Sequence, residues 1–355
     1  MKKKRILILF LILWLIPFPA KAISAHSAVL MDLDSGRILF EKKKDEERLI
    51  ASITKIMTCI VAIEANKLED IVKVGEEVLK MYGSNIYLEL HEKMKLKDLL
   101  YGLMLRSGND AAVVIANYIG GSEENFVAMM NQKAKEIGMT HTIYRNPHGL
   151  DEETENYSTA YDMALLSQYA MKNPVYREIV GTKKYNVQSE KKAYSWTNRN
   201  QFLFQYKYAT GGKTGYTPRA GKTLVTTASS GNLNLTAVTL NDGNQYQTHQ
   251  DLYEEAFQTY QNYIILDPEH FKIDNNFYSD KIVIKNRFQY PLSEPEKEEI
   301  KVLVELNKLD HYQDGDEVGV AKVFLKDDVI HEEKLYVEVP KKKGFWEWLR
   351  SLAWW

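Results

Sequence analysis

Three short strings in this 355-residue chain carry side chains able to do covalent chemistry: Ser52-Ile53-Thr54-Lys55, Ser107-Gly108-Asn109 and Lys213-Thr214-Gly215. Ser52 and Lys55 are three residues apart, which puts hydroxyl and amine on one helix face. A serine hydroxyl is a weak nucleophile near neutral pH and needs a group to take its proton. A lysine can do so when burial or a second cation disfavours its charged form. Lys55 is the candidate general base and Lys213 the candidate second cation; a water-mediated or shared proton path is the alternative. Ser107 could relay a proton between Lys55 and a leaving amine, while the Asn109 amide offers a donor and an acceptor for positioning. Lys213 and Thr214 supply a charge and a hydroxyl suited to a free carboxylate. Gly215 has no Cβ to block an extended peptide pairing with its strand.

These groups need elements to hold them. Short alternating segments at residues 27–33 and 37–40 lead to Ser52, which opens an apolar helical run at 53–65, although serine is also a favoured helix cap. Helical runs at 96–105 and 111–119 flank Ser107-Gly108-Asn109, predicting a tight break; the same residue types also make ordinary turns. Lys213-Thr214-Gly215 precedes a turn at 218–221 and a strand at 222–227, and reads as an edge strand. Two further strings match the same patterns. Ser189-Glu190-Lys191-Lys192 lies among charges with no apolar stripe, so its groups are expected to be solvated. Ser230-Gly231-Asn232 falls between alternating runs and reads as a hairpin turn. Gly212-Lys213-Thr214 is no phosphate loop, since that pattern requires glycine where Lys207 stands.

With these residues in hand, the chain resembles the D-alanyl-D-alanine carboxypeptidases, the low-molecular-mass penicillin-binding proteins, over residues 27–355. Asn146-Pro147-His148-Gly149-Leu150-Asp151, Thr159-Ala160-Tyr161-Asp162-Met163-Ala164 and Asn198-Arg199-Asn200 extend the likeness. The resemblance implies an α/β (α+β) penicillin-binding, serine β-lactamase-like transpeptidase domain followed by a small C-terminal all-β domain. It implies removal of the terminal D-alanine from peptidoglycan stem peptides ending in D-Ala-D-Ala, through an acyl-enzyme on Ser52, and a role in cell wall and cell shape. By analogy the Ser52 and Tyr216 backbone N–H groups form the oxyanion hole, and Lys213 and Thr214, helped by Arg199, hold the substrate carboxylate. β-Lactams are expected to acylate Ser52 and leave slowly, because the middle motif is S-G-N rather than S-D-N and no glutamate is placed to activate a deacylating water. The alternatives are a D,D-endopeptidase or β-lactamase on the same fold, or a non-catalytic penicillin-binding sensor or scaffold.

The remaining sequence sets the boundaries. A basic start at residues 1–5, an apolar run at 6–16 and Ala20-Lys21-Ala22 read as a signal peptide cleaved after Ala22. Its loss removes five of the 46 basic and none of the 48 acidic residues, leaving a formal charge of about −7. That balance argues against a nucleic-acid partner. The single cysteine, Cys59, excludes an internal disulfide and reads as a buried filler. The eight histidines are scattered with no H-E-x-x-H string, so no metal or other cofactor is expected, and His148 reads as structural. No G-x-S-x-G elbow occurs. The expected domains are the peptidase at 23–265, a β-rich domain at 266–340 built from runs at 281–284, 300–306, 317–325 and 334–339, and a helix at 341–355. In that last segment Lys341-Lys342-Lys343 precedes an apolar stripe of Phe345, Trp348, Leu349, Leu352 and Trp355. It predicts a helix lying in the membrane surface, and hence an extracytoplasmic enzyme held peripherally on the outer face of the cytoplasmic membrane.

Overall fold

The computed structural model describes residues 23–340. Both the leader and the terminal helix lie outside the described residues. By contacts the chain forms two compact units, the first built from residues up to Met31, Ile38–Ala228 and Leu235–Tyr253.

The first unit centres on a five-stranded sheet. Its strands are β1 (Ser27–Asp32), β2 (Ile38–Lys42), β3 (Ala209–Thr217), β4 (Gly221–Ser230) and β5 (Leu233–Leu240), in the order β2-β1-β5-β4-β3. β3, which carries Lys213-Thr214-Gly215, is therefore an edge strand, as its sequence suggested. Its antiparallel register with β4 sets Gly215 opposite Thr223 and Lys213 opposite Val225. The turn between β4 and β5 contains Gly231 at φ 59°, confirming Ser230-Gly231-Asn232 as a hairpin connection.

A helical cluster supplies the rest: α1 (Lys55–Glu64), α2 (Leu96–Arg106), α3 (Asn109–Gly120), α4 (Glu123–Ile137), α5 (Ala160–Met171), α6 (Pro174–Gly181) and α7 (Gln245–Thr259). α1 is buried from Lys55 through Ile63, as expected of a helix apolar all round. Its buried Ile56, Met57, Ile60, Val61 and Ile63 each contribute about 1.5–3 kcal/mol relative to exposure. Local chemistry sets the other ends. Ser122, Thr159 and Asn173 accept hydrogen bonds from the first-turn N–H groups of α4, α5 and α6. α2 stops at Ser107, which takes the left-handed conformation at φ 62°.

The second unit comprises Asp32–Arg37, Ser229–Asn234 and the chain from Glu254 onward. β6 (Gln261–Leu266) pairs with β8 (Phe288–Leu292). A separate antiparallel sheet contains β7 (Lys281–Ile284), β9 (Ile300–Leu306), β10 (Glu317–Leu325) and β11 (Asp328–Glu338), in the order β7-β11-β10-β9. Its own core includes Val318, Ala321, Val323, Leu335 and Val337. The four expected runs all fall in this sheet. The division of the chain comes before residue 265, because residues 261–266 form a strand with Phe288–Leu292 of the second unit.

Candidate active site

Ser52 sits in a single 3-10 turn, Ala51–Thr54, that runs directly into α1. Ala51 is held at φ 49°, a conformation that turns the chain sharply just before the serine. The loop at 146–151 is pressed behind this turn. A Cβ on Gly149 (φ 87°) would collide with the Ala51 carbonyl and stand 3.0 Å from the Ser52 nitrogen. Asn146 and Asn156 lock that loop: Asn146 Oδ1 accepts from the His148 and Gly149 N–H groups, and Asn156 Nδ2 donates to Thr54 Oγ1 at 3.1 Å.

Lys55 is fully buried and its ammonium has three partners: Ser52 Oγ at 3.1 Å, Asn109 Oδ1 at 2.7 Å and the His148 carbonyl. Burial, then the nearby Lys213 charge, push its pKa well below the usual lysine value; Asp110 opposes and Arg199 adds to the lowering. A neutral amine in this position keeps two N–H donors for Asn109 and His148 and turns its lone pair toward Ser52. The pair is thus arranged for proton transfer from hydroxyl to amine.

Ser107 lies in the two-residue break between α2 and α3, and Asn109 opens α3. Asn109 Nδ2 donates to the Tyr82 carbonyl at 2.7 Å, so its oxygen faces Lys55. Lys213, also buried, donates to Ser107 Oγ at 3.0 Å and to the Thr214 carbonyl at 2.6 Å. Burial, with Arg199 as the second cause, pushes its pKa down to about 7. Its ammonium therefore points at a hydroxyl rather than into open solvent.

Gly215 packs against the serine turn: a Cβ there would clash with Thr223 Oγ1 and lie 2.9 Å from the Ser52 nitrogen. Thr223 is anchored in turn on the Ile50 carbonyl at 3.0 Å. Tyr216, 64% exposed, stands at the mouth. A cleft of about 440 Å³ is lined by Ser52, Ser107, Thr214, Gly215, Tyr216 and Arg199, among others. Arg199 Nη1 donates to Ser84 Oγ and its backbone N–H donates to the Leu105 carbonyl at 3.0 Å, while Asn198 Oδ1 accepts from the Asn200 N–H across it. Ser52, Lys55, Ser107, Asn109, Arg199, Lys213, Thr214, Gly215 and Tyr216 are thus gathered around one cleft in the first unit.

Other groups were not visible in the sequence. Asp110 accepts from the Ile86 and Leu88 N–H groups and so holds residues 82–88, whose Tyr82 and Ser84 carbonyls grip Asn109. Its place directly after S-G-N was the available signal. The His148 ring accepts from the Leu150 N–H, and burial with the Lys55 charge pushes its pKa down to about 3, consistent with a structural ring. Cys59 is buried and burial raises its thiol pKa. One expectation is corrected: Ser189 is buried rather than solvated. Its hydroxyl donates to buried Glu92 and accepts from the Lys191 and Lys192 N–H groups, closing the turn between two short strands, Lys184–Gln188 and Ala193–Thr197.

The D-alanyl-D-alanine carboxypeptidase family profile matches residues 17–244, and that of the penicillin-binding protein 5 C-terminal domain matches residues 274–342. The D-alanyl-D-alanine carboxypeptidase DacF of Bacillus subtilis is 41% identical over 60% of this chain and 56% of its own length. DacC of Escherichia coli is 36% identical over 62% and 57%. The chain thus spans little more than half the length of these curated relatives. Among solved structures, penicillin-binding protein 5 of Haemophilus influenzae aligns with a TM-score of 0.76 at 27% identity, covering 91% of this chain and 98% of that one. The D-alanyl-D-alanine carboxypeptidase DacD of Francisella tularensis aligns with a TM-score of 0.71 at 26% identity, covering 92% and 95%. The fold is thus that of penicillin-binding proteins, with a C-terminal β unit, and the chain belongs to the D-alanyl-D-alanine carboxypeptidase family.

Proposed function

We propose that this chain is a serine D-Ala-D-Ala carboxypeptidase acting on peptidoglycan stem peptides, with Ser52 as nucleophile and Lys55 as base. The observation that carries the reading is the 3.1 Å contact between Ser52 Oγ and a buried lysine whose charged form is disfavoured. Ser52 Oγ attacks the carbonyl carbon of the penultimate D-alanine and its proton passes to Lys55. The oxyanion forms beside the Ser52 and Tyr216 N–H groups, donors of the kind that often supply the largest electrostatic share of catalysis. The C–N bond then breaks, and the leaving amine takes a proton through Ser107, whose hydroxyl bridges toward Lys213. Water attacks the ester by the reverse path and releases the shortened stem. Thr214, Lys213 and Arg199 hold the terminal carboxylate.

β-Lactams acylate the same serine and leave slowly in this reading. Its support is that no carboxylate lies among the described residues lining the cleft, so none is placed there to activate a water. The test is release of D-alanine from a diacetylated Lys-D-Ala-D-Ala peptide beside labelled penicillin. Release and labelling that both vanish in Ser52→Ala support the carboxypeptidase. Labelling without release points to a sensor, cleavage of a cross-linked peptide to an endopeptidase, and fast penicillin turnover to a β-lactamase.

Secretion by the leader and attachment by residues 341–355 belong to the same proposal, supported by the composition of those segments. No helix among the described residues is long and apolar enough to cross a membrane. Deleting residues 344–355 should release active enzyme from membranes, and unchanged sedimentation with them would refute the anchor.

A further inference from the structure

The second unit's sheet ends on an open strand. β9 pairs with β10 on one side, and among the described residues no strand lies along its other side. Asn307 N donates to the Val318 carbonyl at 2.9 Å, continuing the register that sets Leu306 opposite Gly319. Main-chain polar groups alternate sides along an antiparallel strand. Lys301, Leu303 and Glu305 therefore turn theirs to β10, while Ile300, Val302, Val304 and Leu306 aim N–H and C=O groups at the open edge. Val302 and Leu303 are 43% and 50% exposed. Clefts of about 580 and 470 Å³ separate the strand from the segment at 264–277, the first between Val302 and Val304 and residues from Ile264 to Ile273, the second between Val304 and Leu306 and residues from Ile273 to Phe277.

The strand reads Ile-Lys-Val-Leu-Val-Glu-Leu, which is self-complementary about its centre. We propose that β9 pairs antiparallel with β9 of a second copy of this chain, on a two-fold axis through Leu303. That register places Leu303 opposite itself, Lys301 opposite Glu305 twice, Val302 opposite Val304 and Ile300 opposite Leu306. The edge-facing residues Ile300, Val302, Val304 and Leu306 then meet one another as hydrogen-bonded pairs. Charges on an edge strand ordinarily repel a neighbour. Here they are of opposite sign at symmetric positions, so the two-fold pairing turns them into attraction. A parallel pairing in register would set Lys301 against Lys301. An antiparallel shift by two residues loses both Lys301–Glu305 pairs: one direction sets Glu305 against Glu299 and Lys301 against Leu303, the other sets Glu305 against Leu303 and Lys301 against Asn307.

The test uses the whole chain. Sedimentation velocity over a concentration series should show a monomer–dimer equilibrium, and Lys301→Glu should weaken the dimer about tenfold by setting two like-charge pairs across the axis. Penicillin labelling at Ser52 should be unchanged in that variant, which reports an intact fold. Leu303→Cys should form a disulfide-linked dimer under mild oxidation, because the axis brings that position against itself. Glu305→Cys, far from its copy in this register, should not. Native Cys59 is buried and the only other thiol. A wild type that stays monomeric throughout, a Lys301→Glu dimer as tight as wild type, or equal cross-linking at 303 and 305 would each overturn the pairing.

Discussion

The chain contains the S-x-x-K string twice, at Ser52–Lys55 and at Ser189–Lys192, in opposite settings. Lys55 is fully buried and reaches its serine. The Lys192 ammonium instead donates to the Tyr87 carbonyl and pairs with Glu89 at 3.2 Å, partly in solvent. Ser189 has its oxygen occupied by two turn N–H groups and its proton on Glu92. Spacing is identical; what differs is a carboxylate. Where the hydroxyl meets a buried acid the string closes a hairpin, and where it meets a buried, charge-poor amine it can be activated.

The comparison breaks most sharply at the hydroxyls. Ser52→Ala should lower D-alanine release by at least about 10³-fold and abolish covalent penicillin labelling. Ser189→Ala should leave both within about twofold of wild type, and finding Ser189→Ala inactive would end the distinction. Gly215→Ala comes next, because its methyl would push against the Ser52 nitrogen and Thr223. A loss of about 10²–10³ in acylation rate is expected, the range for disturbing one oxyanion donor, measured by stopped-flow penicillin binding.

Lys213→Met sharpens the electrostatic half. Removing that charge lets the Lys55 pKa rise, so the acidic limb of the acylation rate should move to higher pH, with a rate at pH 7 lowered about tenfold or more. Stability should change in a matching way. Native Lys213 holds fewer protons than the unfolded chain between about pH 7 and its ordinary 10.5, so its contribution grows with pH across that window and is lost as pH falls through about 7. Urea unfolding of Lys213→Met should show a flatter dependence there; an unaltered slope would contradict the buried, deprotonating lysine. The smallest effect belongs to the second string: Ser189→Ala should cost about 1–3 kcal/mol in urea unfolding, since it removes one donor to buried Glu92, which keeps Tyr194, and leaves two turn N–H groups without their acceptor.

Much of this was legible in the sequence because the proposed nucleophile, base and second hydroxyl are side chains at helical or turn spacing, and the edge strand is marked by alternation and glycine. Hydrogen-bond partners supplied by the backbone were not. The carbonyls of His148, Tyr82 and Ser84 hold Lys55 and Asn109, yet any residue has a carbonyl, so nothing in residue type announces them. Ser189 was misread because the charges around it imply solvent, while the acid that buries it, Glu92, is distant in sequence. The end of the first unit was obscured for a similar reason: strand partners at 261–266 and 288–292 are separated by a segment that includes β7 of the other sheet.

Ala51, buried and immediately before the proposed nucleophile, carries a methyl in a backbone region that disfavours it by about 1–2 kcal/mol. Glycine would sit there without that penalty, but it would also free the turn that aims Ser52. Selection for thermal robustness alone would therefore pull this position away from selection for turnover. A library sorted only for folding should enrich glycine at residue 51, whereas one sorted for D-alanine release should retain alanine.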